Sequence, residues 1–172
     1  MKKIGIIIGS VRENRVGIKI GEWILKKTEN HSNDYEIVDL KEIDFPHYLE
    51  PISPRNVKEY KYETTTNWSN IVKKYDGYIF VSPEYNGYFP GKVKDAIDYL
   101  YHEWLNKSYI VVGYGGRGGL WASEKLSELL DRFDMKKAGI LGVKKPWEAI
   151  DSNGNINEEY VVGDLTEFLN KL

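Results

Sequence analysis

Hydrophobic positions along the chain fall into two alternating patterns. Lys3 to Ile8, Tyr35 to Leu40, Gly77 to Val81, Ser108 to Val112 and Ala138 to Val143 are short, rich in Ile and Val, and bounded by Gly, Pro or polar turns, as buried strands are. Between them, apolar residues recur at helical spacing: Ile20 and Ile24; Trp68, Ile71 and Val72; Val93, Ile97, Leu100 and Trp104; Leu126, Leu129, Leu130 and Phe133. A last helix is expected to carry Val161, Leu165, Phe168 and Leu169. Five strands alternating with helices predict a doubly wound α/β fold. Each right-handed crossover returns the chain to the same parallel sheet, and helices cover both faces. At 172 residues the chain is expected to form a single domain, 1–172. The segment Glu42 to Lys58, with Pro46, Pro51 and Pro54, exceeds an ordinary connection, and Asp151 to Asn155 reads as a turn around Asn153-Gly154.

Composition narrows the function classes. The 24 basic and 26 acidic residues are interspersed, giving a net charge of −2, so no nucleic-acid or membrane partner is expected and small ligands are favoured. There is no cysteine, which removes disulfides, thiolate nucleophiles and cysteine metal sites together and fits a cytoplasmic location. The apolar run after Lys2 and Lys3 is too short for a signal peptide or a membrane span. His31, His47 and His102 are scattered without metal-ligand spacing. Ser10 lacks the G-x-S-x-G elbow of a hydrolase nucleophile.

In a sheet of this kind ligands sit beyond the carboxyl ends of the strands, where strand order reverses. Three loops leave those ends. Gly9 to Arg15 offers amides at a helix start, the Ser10 hydroxyl and the guanidiniums of Arg12 and Arg15, a set suited to a phosphate monoester. The same residues also suit a plain helix cap made by Ser10 or Asn14 with solvated arginines. The loop lacks the second glycine, lysine and hydroxyl of a Walker motif, which removes kinase and GTPase readings. Ser82 to Gly91 is stiff and flat, with Tyr85 and Asn86 placed to meet a planar heterocycle, or else to cover the core. Glu84 has no nearby carboxylate or histidine with which to form a catalytic pair and is read as structural. Gly113 to Gly119 is glycine-rich enough for close backbone approach. Its Gly113, Gly115 and Gly118 match G-x-G-x-x-G, but on the fourth strand, and the next strand ends in Lys144-Lys145-Pro146 without a ribose-binding acid, so a classical dehydrogenase fits poorly.

Taken together, Gly9-Ser10 with Arg12, Ser82-Pro83-Glu84-Tyr85-Asn86, and Pro90-Gly91 with Lys94, Ile97 and Asp98 resemble the NADPH-dependent FMN reductase family, which includes quinone, azo-dye and chromate reductases. Phe45-Pro46, the glycine loop and the Asp151 to Gly154 turn agree more weakly. The resemblance implies a flavodoxin-like, five-stranded parallel sheet in the order 2-1-3-4-5. It implies bound FMN, with NADPH or NADH as electron donor. Ser10, Arg12, Arg15, Val16 and Gly17 would surround the phosphate. Pro83, Glu84, Tyr85, Asn86 and Gly87, with Gly115, Gly116, Arg117 and Gly118, would flank the isoalloxazine. It further implies a homodimer or homotetramer built on Gly91 to Trp104 and Leu120 to Phe133, with Tyr101, Trp104 and Trp121 either at the interface or buried in one subunit. The expected reaction is ping-pong transfer of reducing equivalents to a small acceptor such as a quinone, azo compound, free flavin or metal oxyanion, with no catalytic side chain because the cofactor carries the chemistry. The alternatives are a flavodoxin-type electron carrier or FMN-binding redox module without nicotinamide turnover, and an interaction protein that has lost the flavin. The weak net charge speaks against the carrier, which steers to its partners by strong negative charge.

Overall fold

The computed structural model describes all 172 residues. In chain order its elements are β1 (Lys3–Ile8), α1 (Gly17–Lys27), β2 (Asp34–Asp39), α2 (Glu63–Val72), β3 (Gly77–Pro83), α3 (Gly91–Asp98), β4 (Ser108–Gly115), α4 (Leu120–Leu130), β5 (Lys136–Lys144), α5 (Pro146–Ala149), β6 (Val161–Val162) and α6 (Leu165–Leu169). The first five strands pair in parallel in the order β2-β1-β3-β4-β5, as expected. A sixth, two-residue strand adds antiparallel to β5, so the sheet has six strands rather than five.

Two-residue alternation divides the core. Ile4, Ile6 and Ile8, Ile79 and Val81, and Ile110 and Val112 face Ile20, Trp23 and Ile24 of α1 and Leu165 and Leu169 of α6. Ile7, Tyr78, Phe80, Tyr109 and Val111 face the other way, toward Trp68, Val93, Ile97, Trp104 and Leu126. Burial on both faces accounts for strands without polar positions, since each side chain of the pleat meets a helix layer.

Three expectations at element ends are corrected. Val161 lies in β6, not in the last helix, because Gly163 turns the backbone at φ +103° and Asp164 starts α6 by accepting from the Glu167 amide at 3.0 Å. Leu100 and Trp104 lie beyond α3: the Trp104 indole N–H donates to Ile97 O at 3.1 Å, satisfying a carbonyl at the helix end, and Trp104 is fully buried. Trp104 is therefore a core residue rather than an interface one. Strand β4 runs on to Gly115, three residues past its expected end, because its ladder with β5 continues through Gly115 and Lys144 after a shift of register at Tyr109/Ile110.

Between β2 and α2 the chain crosses α3 without helix or strand. Phe45 packs against Trp68 and Tyr99, and the Tyr99 hydroxyl donates to Pro46 O and His47 O, both at 3.1 Å. Two buried carboxylates fasten the far end of this strap. Glu50 accepts from the amides of Lys61 and Tyr62 at 3.0 and 3.1 Å, and Glu103 accepts from Tyr60 Oη at 2.9 Å and Ser69 Oγ at 2.6 Å. Burial raises both carboxyl pKa values, but Thr65 beside Glu50, these donors and Lys73 near Glu103 more than offset it and hold both below the usual value. A depressed folded-state pKa stabilises at every pH above the unfolded value and is lost as pH falls through the folded one. Thermal stability is accordingly expected to be flat from neutrality to about pH 5 and to fall below about 4.5. Glu103→Gln should cost roughly 1 to 3 kcal/mol at neutral pH and flatten the acid limb. Unchanged melting in that variant at both ends of the pH range would remove the carboxylate as the fastening.

Candidate functional site

The carboxyl ends of β1, β3, β4 and β5 converge on a cleft of about 330 Å³. Ser10, Arg12, Arg15 and Val16 from the first loop, Pro83, Glu84 and Tyr85 from the second, and Gly115 from the third line it. Asn14, Tyr114, Pro146 and Trp147 complete the wall.

The first loop is built to leave its donors free. No backbone amide from Ser10 to Lys19 donates to an acceptor within the chain. The helix-cap reading does not hold: Val16 occupies the N-cap of α1, which has no side-chain cap bond. The loop is held from outside instead. The Arg15 guanidinium pairs with both oxygens of Asp39, at the end of β2, and donates to Ser10 O at 2.6 Å. Its charge is thus already partnered, whereas Arg12 has no carboxylate partner and lies over the Tyr85 ring at 5.6 Å. Gly17 does not line the cleft, but a Cβ there would collide with Ser10 Oγ and Tyr114 Oη, so the glycine lets both hydroxyls pack against the helix N-terminus. Ser10 Oγ and Tyr114 Oη are buried there beside each other, without a well-formed hydrogen bond.

The second loop turns on Asn86 and Gly87, at φ +52° and +77°, which close a two-residue hairpin through reciprocal bonds between Tyr85 and Tyr88. Both lie at the turn, outside the cleft lining, and shape the wall that Tyr85 presents. Glu84 is anchored on its backbone to Tyr114 O, while its carboxylate accepts from the Ala122 amide in the first turn of α4 at 3.3 Å, which supports the structural reading of its side chain.

In the third loop Gly118 N donates to Gly115 O at 3.1 Å, and Lys145 N reaches the same carbonyl at 2.9 Å, tying the end of β5 to the glycine turn. That tie brings Pro146 and Trp147 into the wall, with Trp147 next to Gly116 and 65% exposed. Arg117 points away from the cleft and stacks over Trp121, itself 62% exposed. Arg117 and Trp121, with Leu120 and Glu84, border a neighbouring depression.

Burial pushes the Tyr114 phenol up to about 12, against the pull of Ser10 and the charges of Arg15 and Arg12. At neutral pH it is a donor. No group of three His, Asp or Glu side chains gathers anywhere in a way that would hold a metal ion. The site therefore offers an anion cradle of amides, hydroxyls and one unpaired guanidinium at one end, and a flat aromatic and backbone wall at the other.

The model of the family described as NADPH-dependent FMN reductase matches residues 2–141. An NAD(P)H-dependent FMN reductase of Saccharomyces cerevisiae is 39% identical over 155 residues, covering 84% of this chain and 81% of the relative. Another, from a Nectria species, is 40% identical over 155 residues, covering 87% and 77%. Among solved structures, the flavoenzyme NAD(P)H:(acceptor) oxidoreductase FerB of Paracoccus denitrificans aligns with a TM-score of 0.71 at 21% identity, covering 99% of this chain and 92% of that one. This last likeness speaks for the fold alone. With a family match running through all three strand-end loops and two relatives near 40% identity, the chain belongs to the NADPH-dependent FMN reductase family.

Proposed function

We propose that the cleft binds FMN and that the protein passes reducing equivalents from NADPH or NADH to a small acceptor such as a quinone, azo compound, free flavin or metal oxyanion. The observation that carries this reading is the run of unpaired amides from Ser10 to Lys19 meeting Arg12 and two orphaned hydroxyls. A phosphate monoester would be met by the amides at the start of α1, by Arg12 and by the two hydroxyls, and buried donors are costly without an acceptor.

Bound FMN would supply hydride transfer, chemistry that no side chain of this protein offers. The protein's part is positioning. Arg12 and the first-loop amides neutralise the phosphate, and Arg15 acts through Asp39 to keep Ser10 in place. Pro83, Glu84, Tyr85 and Gly115 provide backbone and ring surface for a flat heterocycle, held by the turns at Asn86-Gly87 and at Gly116 to Gly118, and Tyr85 and Trp147 exclude water from its edges. Donor and acceptor take turns at one open face, which is the basis of a ping-pong order. The whole chain, 1–172, acts as one FMN-binding domain in the cytoplasm and assembles as a homodimer or homotetramer through α3 and α4, where Trp121 and Tyr101 are placed to take part. None of its helices is long and apolar enough to cross a membrane.

The deciding measurement is the absorption spectrum of the purified protein, reconstituted with FMN if necessary, before and after anaerobic NADPH and then NADH. Bleaching of the flavin bands is expected, with parallel double-reciprocal plots in turnover with a quinone. A protein that takes up no FMN would end the reading, and one that holds FMN without bleaching would be an electron carrier. Gly17→Ala should lower FMN affinity by about tenfold or more, because its methyl group fills the cradle. Helix content should not fall, since alanine suits a helical position better than glycine.

A further inference from the structure

Tyr114 is the last residue but one of β4, its ring belongs to the core layer that also holds Ile8, Val112 and Val143, and it is 5% exposed. Nothing in that packing needs the hydroxyl. Its oxygen is buried, and its hydrogen-bonding neighbour is Ser10 Oγ, set at a geometry short of a well-formed bond. A buried hydroxyl without a well-formed bond is costly, and phenylalanine at the same place would avoid that cost. The oxygen is not directed at random. It lies with Ser10 Oγ, which is 1% exposed, against Gly17 at the N-terminus of α1, where the two hydroxyls occupy the space a Cβ would need and have no partner but each other. The amides of Gly17, Ile18 and Lys19 begin the helix there without acceptors. Two hydroxyl donors and the open amides of a helix start thus meet at one buried polar spot on the wall of the cleft that Arg12 and Arg15 also line.

We propose that Tyr114 is a phosphate-binding residue: its hydroxyl, paired with that of Ser10, donates to the phosphate of the bound nucleotide from the core side of the cradle. This rests on the flavin mononucleotide reading of the cleft and adds to it a donor that comes from β4 rather than from the phosphate loop. The placement gives Tyr114 a role in telling a phosphorylated flavin from an unphosphorylated one. Riboflavin presents the same ring system and leaves both hydroxyls orphaned, so the protein should hold it without help from Tyr114. Because the donor comes from the sheet and not from a surface loop, it is preorganised before the ligand arrives, and little conformational entropy is lost when the bond forms.

The test compares apoprotein and its Tyr114→Phe variant for FMN and riboflavin binding by quenching of flavin fluorescence, with melting of the ligand-free chains alongside. The expected result is an FMN dissociation constant raised about tenfold in the variant, a riboflavin constant changed less than about twofold, and a ligand-free melting temperature equal to or above the parent's. Ser10→Ala should give the same FMN-selective loss. Equal FMN affinity in parent and Tyr114→Phe, or parallel loss of FMN and riboflavin, would overturn the assignment. So would a ligand-free variant melting well below the parent, since the hydroxyl would then have a structural partner. An unaltered chain that binds neither flavin would instead overturn the reading of the cleft, and the assignment with it.

Discussion

The consecutive unpaired amides from Ser10 to Lys19 set the terms for the rest of the molecule. A loop without internal hydrogen bonds has nothing of its own to hold its shape, so its conformation must be imposed by neighbours. Arg15 does this by joining Asp39, at the end of β2, to the Ser10 carbonyl. The parallel pairing of β1 with β2, which sets Ile8 against Asp39, puts that carboxylate within reach. The fold's strand order thereby becomes a local constraint on the site. An arginine that would serve as an anion ligand by composition becomes a brace, and Arg12 is left as the unpaired charge.

The same economy governs the opposite wall. A glycine turn alone would leave the third loop without support, but Gly115 O takes two amides, one from its own turn and one from Lys145 beyond β5. That second bond draws the short helix α5 toward the cleft and sets Trp147 beside Gly116. The second loop is stiffened by its Asn86-Gly87 hairpin and by Glu84, which reaches across to the start of α4. Each loop is therefore fixed to an element outside its own connection, which gives the cleft a preorganised shape without a catalytic side chain.

Away from the cleft, the strap before α2 shows how a long irregular segment can be held in place. Aromatic packing of Phe45 against Trp68 and Tyr99 holds its first half, and the carboxylates of Glu50 and Glu103 receive its last residues. Because the strap lies on α3, which follows directly from the second loop, the anchoring also steadies one wall of the site.

Much of this was legible in the residues. Strands buried on both faces read as short runs of Ile and Val, and the Asn153-Gly154 pair announced a turn, since both signals are local. The three strand-end loops could be named because a parallel sheet delivers its loops to one edge. Element ends were less legible: the Trp104 bond that caps α3, the Gly163 break before α6 and the continued ladder of β4 all depend on partners distant in sequence or on one backbone angle. Within the site, Ser10, Arg12 and Tyr85 were found by residue type, while Tyr114, Pro146 and Trp147 carried no motif. By itself the sequence determined the layer order, the family and which loops meet. Only the tertiary structure decided that Arg15 is spent on Asp39 and that the Tyr114 hydroxyl ends beside that of Ser10 at the mouth of α1. The reason is physical: whether a donor is satisfied depends on what the rest of the fold places within about 3 Å of it, and no residue type or spacing records that distance.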